Sequence, residues 1–132
     1  MGNVNLLAVV LGAAAFFAVG AVWYTALFGK AWQRAVGLTD QQLQGANMAM
    51  IFGLTFLLEL VVSLMLGHNI ARTNPAPHVI MMMAVGFGGT IMIPAIGINY
   101  LFQRRSFKLF AIDAGHVLFG TAAMGAVHLL LA

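Results

Sequence analysis

The sequence has no cysteine and only three acidic residues in 132. The first absence excludes disulfides, thiolate metal centres and cysteine nucleophiles. Charge is scarce altogether, at 7% of residues, where a soluble domain carries about a quarter. Hydrophobic residues make up 62% instead, which places the chain in the membrane class and leaves no room for a separate soluble module. Six Lys and Arg against three Asp and Glu leave a net charge of +3. That excess is too small and too scattered to bind nucleic acid, and in an apolar chain it reads as topology.

About 20 apolar residues, rising about 1.5 Å each, cross a hydrocarbon core of about 30 Å. Four segments qualify: 4–28, 46–71, 79–102 and 109–132. None shows strand alternation, and helices of this length satisfy their own backbone hydrogen bonds in lipid. The first contains Ala13-Ala14-Ala15 but has no basic stretch before it, so it is expected to remain as a helix and not to act as a signal peptide. The expectation is an all-α membrane protein: one domain over 1–132, four transmembrane helices in a compact bundle, and a short interfacial helix between helices one and two. Lys30 and Arg34 lie in the first loop, Arg104 and Arg105 in the third with Lys108 just after, and Arg72 alone in the second. This bias puts loops one and three in the cytoplasm and both termini outside.

Loop one reads GKAWQRAVGLTDQQL over residues 29–43. Lys30 and Arg34 are four apart on one helical face, and Trp32 suits the headgroup level. Gly37 suits a left-handed helix stop. Thr39 with Gln42 makes a capping box, and Leu38 with Leu43 a hydrophobic staple, which restarts the chain into helix two. Trp23, Tyr24, Lys30, Trp32 and Arg34 are therefore expected to anchor the chain at the membrane surface, or to bind an anionic lipid headgroup. On the opposite side Asn74-Pro75-Ala76-Pro77 makes a stiff turn. Small residues four apart offer close helix contacts at Ala14/Ala18, Ala84/Gly88, Ala111/Gly115, Thr121/Gly125 and Ala122/Ala126. Pro94 frees the Thr90 carbonyl and is expected to kink helix three.

Polar residues inside the spans carry the functional question. Asp113 and His116 are three apart, hence neighbours on one face of helix four. Thr55, Glu59 and Ser63 recur at spacing four on helix two, and Asn99 lies near the cytoplasmic end of helix three. Counted from that end, Asp113 and Asn99 lie roughly 6–8 Å deep, His116 about 12 Å and Glu59 about 18 Å. Each lone charge would cost about 2.5–3.5 kcal/mol on insertion scales, so these groups are expected to turn toward one another. Two readings follow. Asp113, His116, Glu59 and Asn99, supported by Thr55 and Ser63, form either a proton, ion or small-solute site or a clasp that fixes helix register. His68, His78 and His128 share an outer level where zinc, copper or haem is conceivable, but no loop spacing supports a chelate. No metal or cofactor is expected.

GAVWYTALFGKAW (20–32), NYLF (99–102) and KLFAIDAG (108–115) resemble a family of small bacterial four-helix membrane proteins of unknown function. That family carries Trp-Tyr followed by Phe-Gly-Lys-x-Trp, and Ile-Asp-x-Gly on its last helix. The resemblance runs through the whole chain. It implies that Trp23, Tyr24, Gly29, Lys30, Trp32, Asn99, Asp113 and Gly115 are pattern positions, and that the setting is a bacterial inner membrane. It implies no activity. The leading functional expectation is a small transporter or channel subunit, with lipids and an unnamed small solute or ion as partners. A homo-oligomer is expected because four helices alone rarely enclose an aqueous path. The rival is a structural or accessory membrane protein. A lipid-acting enzyme is a third class: Asp113 or His116 could act as base, but no Ser or Cys nucleophile lies one turn away.

Overall fold

The computed structural model describes residues 3–132, and among these there is no strand. Helix α1 (Leu6–Val22) is capped by Asn5, whose side chain accepts from the Ala8 N–H. It runs on into a π-helical turn, Trp23–Leu27, closed by the Phe28 N–H donating to the Trp23 carbonyl at 2.8 Å. Helix α2 (Gly29–Val36) stops at Gly37, whose φ of 81° is the left-handed conformation that glycine adopts without penalty. The Thr39/Gln42 capping box forms and opens the single turn α3 (Asp40–Gln44). Then come α4 (Met48–Thr73), α5 (Pro77–Phe87), a second π turn (Gly88–Met92), α6 (Ile93–Gln103) and α7 (Phe107–Leu130). Joined through their π turns, these make four membrane-length helices: Leu6–Leu27, Met48–Thr73, Pro77–Gln103 and Phe107–Leu130.

Around Pro94 the chain widens. The Ile93 N–H reaches back to the Gly88 carbonyl, so a π turn takes up the register that the missing proline N–H disturbs. The π turn thus lies one turn before the proline.

Helix α1 lies between α4 and α7, and α7 also carries α5 and α6 on its other side. Phe16, Leu66, Ala84 and Met124, one from each membrane-length helix, meet in a buried cluster. Without a hydrophobic driving force in lipid, such contact depends on backbones coming close. Glycine supplies the space: a Cβ on Gly120 would collide with the Phe16 ring, and one on Gly125 with the Ala84 side chain. Ala84/Gly88 and Thr121/Gly125 do lie buried at contacts, but Ala14, Ala18 and Ala111 are exposed. Ala14 stands two residues, about 200°, from Gly12 and from Phe16, so it faces away from the seam those residues form. Large apolar side chains such as Leu58, Met82 and Leu101 point outward around the bundle, as a hydrocarbon solvent requires.

Candidate functional site

Asp113 is 8% exposed, and both its carboxylate oxygens are taken. The Tyr24 hydroxyl donates to Oδ1 at 2.5 Å, and the Tyr100 hydroxyl to Oδ2 at 2.5 Å. These lengths are at the short end typical of hydroxyl–carboxylate bonds. Tyr24 comes from the π turn after α1, Tyr100 from α6 and Asp113 from α7, so one carboxylate ties three helices together. Beside it the Trp23 indole donates to the Ile112 carbonyl at 2.9 Å. Its ring lies across Gly115, where a Cβ would stand 2.6 Å from Cζ2, and against Phe28 and Phe119. Trp32 packs edge-on against Tyr24, with ring centroids 5.7 Å apart. Gly29 lets α2 start directly over the Tyr24 carbonyl, which a Cβ would approach to 2.7 Å.

His116 continues the polar line one turn deeper. Its ring meets Tyr24 at 4.9 Å and Phe16 at 5.2 Å, both edge-to-face. Its Nε2 is buried with no hydrogen-bond partner and aims at Gly20, where a Cβ would stand 2.9 Å away. Glu59 on α4 is 6% exposed, and its Oε1 is likewise buried without a partner. Towards the far end Ser63 Oγ and His128 Nε2 lie 2.9 Å apart in a fully buried contact, with the tautomer of the ring deciding which donates. Gly12 makes room for both side chains. His128 also forms the floor of a half-open cavity of about 640 Å³, walled by Asn5, Arg72, Thr73 and Asn74.

The placement of the remaining candidates is uneven. Asn99 is exposed, and its neighbour Tyr100 takes the inward position that sequence depth had suggested for Asn99. Thr55 is half-buried and donates within its own helix to the Ile51 carbonyl at 2.7 Å. Trp23 and Tyr24 turn into the bundle instead of standing as free interfacial anchors, whereas Lys30 and Arg34 are exposed. His68 and His78 are exposed while His128 is buried against Ser63, so the outer histidines do not converge. Among the described residues no three His, Asp or Glu side chains come together as a metal site. Tyr100 is the site residue that sequence reading missed. Its signal was the NYLF stretch of the resemblance, in which Tyr100 directly follows Asn99.

This geometry gathers six of the eight positions of the sequence resemblance: Trp23, Tyr24, Gly29, Trp32, Asp113 and Gly115 meet at one place, whereas Lys30 and Asn99 are exposed. A family profile covers residues 7–129. The chain belongs to the family described as a protein of unknown function, DUF1761. No curated protein and no solved structure matches it. Family membership therefore supplies an architecture and a set of positions, and the chemistry must be argued from the site.

Proposed function

We propose that this protein passes protons, alone or coupled to a small polar solute, along a file of buried side chains through its bundle. The file follows one stripe of α1. Gly12 faces Ser63 and His128, Gly20 faces His116, and Tyr24 binds Asp113. Twelve residues of helix span about 18 Å, more than half of a hydrocarbon core of about 30 Å. The cavity above His128 extends the file outward, and Asp113 brings it near the basic loops at the other end.

The observation that carries the reading is the pair of orphaned atoms, Glu59 Oε1 and His116 Nε2. A buried polar atom without a partner costs about 1–3 kcal/mol. A bundle selected only for packing gains nothing from retaining two of them, whereas groups that take up and release protons need a free lone pair. Intramembrane ionisable groups of this kind commonly mark proton relays. The setting we propose is a bacterial cytoplasmic membrane, crossed four times, with loops one and three inside. A proton file needs no aqueous pore, so the argument for a homo-oligomer, which rested on pore width, does not apply to it.

A second reading is favoured by Asp113 itself. With both oxygens satisfied by tyrosines, it serves equally well as a clasp between helices. Purified protein in liposomes containing a pH-sensitive dye separates the two. The relay requires proton flux above that of protein-free vesicles, and a large loss of it in the Glu59→Gln and Asp113→Asn variants. Wild-type flux equal to that of empty vesicles leaves the clasp as the role of the site.

A further inference from the structure

We propose that Phe16 is a hydrophobic barrier dividing the polar file into two parts, one on the side of the termini and one on the side of the basic loops. The proposal rests on the proton-relay reading for its purpose, but its geometry stands alone. Gly12, Phe16, Gly20 and Tyr24 recur at spacing four and form one stripe of α1 facing α7. Three of these positions adjoin polar groups: Ser63 with His128, His116, and Asp113. Phe16 alone is a large side chain with no polar atom. It is 2% exposed, closes over Gly120, and shares its cluster with Leu66, Ala84 and Met124. Between His128 and His116 the file is therefore interrupted by the apolar ring of Phe16.

Phe16 lies beside one polar side chain and level with a second. On one side its ring edge meets His116, whose Nε2 is unpartnered. On the other, Glu59 lies one turn from Ser63 on the antiparallel α4, which brings it level with Phe16. The two orphaned polar atoms thus sit at the height of the ring and one turn beyond it, where a break in the file leaves groups waiting for a partner. Gly12 and Gly20 bring Ser63 with His128, and His116, close to the α1 backbone one turn to either side of the ring. Hydrophobic constrictions of this kind hold back water until they move.

The absence of cysteine makes the barrier directly measurable. In liposomes, an H116C variant is exposed to Ag⁺ from one side at a time, and the remaining free thiol is counted afterwards in detergent. With Phe16 in place, Ag⁺ should consume the thiol only from the side of the basic loops. Phe16→Ala added to H116C should open attack from the side of the termini, raising the rate there by at least an order of magnitude. Phe16→Leu, which keeps an apolar plug, should preserve one-sided access. Attack from both sides with Phe16 intact overturns the barrier, as does a folded Phe16→Ala variant that stays closed. The first of these results needs no Phe16 variant, so it holds even if Phe16→Ala misfolds. Failure of the relay reads out separately: sided access that depends on Phe16, together with wild-type proton flux no greater than that of empty vesicles, keeps the barrier and removes the transport role.

Discussion

Tyr100→Phe removes one hydroxyl from the Asp113 carboxylate and changes nothing else in the site. Interhelical hydrogen bonds in membranes average about 0.6 kcal/mol and reach about 1.7 kcal/mol. A short bond to a carboxylate belongs at the upper end, so a loss of about 1 kcal/mol in detergent stability is expected; no measurable loss would mean that the hydroxyl bond does not form. Gly115→Ala should cost more. Its Cβ would lie 2.6 Å from Trp23 Cζ2, and the indole is held in place by its bond to the Ile112 carbonyl. Gly53→Ala is the control, since nothing lies within 4 Å of a Cβ there, and it should be neutral or mildly stabilising. A thermal scan of the three variants orders them, and a Gly115→Ala protein as stable as Gly53→Ala would refute the close packing of Trp23. At this scale the sequence exposed Asp113, His116 and Glu59, because a charge in an apolar run is conspicuous. It did not separate Asn99 from Tyr100. Depth arithmetic sets height along a helix, whereas adjacent residues differ by about 100° in direction.

Among the elements, the π turn at Trp23–Leu27 and the start of α2 at Gly29 decide how the aromatic wall meets Asp113. A Cβ at Gly29 would collide with a backbone atom, the Tyr24 carbonyl, which cannot rotate away as a side-chain tip can. Gly29→Ala should therefore change the entry angle of α2 and lift Trp32 from Tyr24. The chain has only two tryptophans, Trp23 and Trp32, and both belong to this wall. Intrinsic fluorescence thus reports on the site without background: Gly29→Ala should red-shift the emission as Trp32 becomes more exposed, and an unchanged spectrum would rule out that coupling. Helix limits were legible because they have local causes. The Thr39/Gln42 box and the Gly37 stop are written in adjacent residues, and α4 and α7 begin within two residues of the apolar boundaries. The π turns were not legible. An extra residue per turn leaves no mark on a pattern that is apolar all round, and Pro94 hinted at only one of them.

The arrangement of the whole molecule is where an evenly apolar sequence says least. Each span is hydrophobic on every face, so no amphipathic stripe shows that α1 and α7 form the central pair. Small residues four apart were too common to choose between contacts. What the sequence does carry at this scale is charge. Lys30, Arg34, Arg104, Arg105 and Lys108 cluster at one end of the bundle, against Arg72 at the other. Basic residues in short loops resist translocation, so the orientation we propose keeps the richer end in the cytoplasm. With no native thiol to mask, the single-cysteine variants Gln41→Cys in α3 and Ala76→Cys before α5 test this directly, both positions being exposed. A membrane-impermeant maleimide should label the Ala76 variant in intact spheroplasts and the Gln41 variant only after lysis. Labelling of both before lysis would mean that the chain inserts in two orientations. The reverse pattern would mean that the cations do not set the orientation, and Asp113 would then lie near the outer surface.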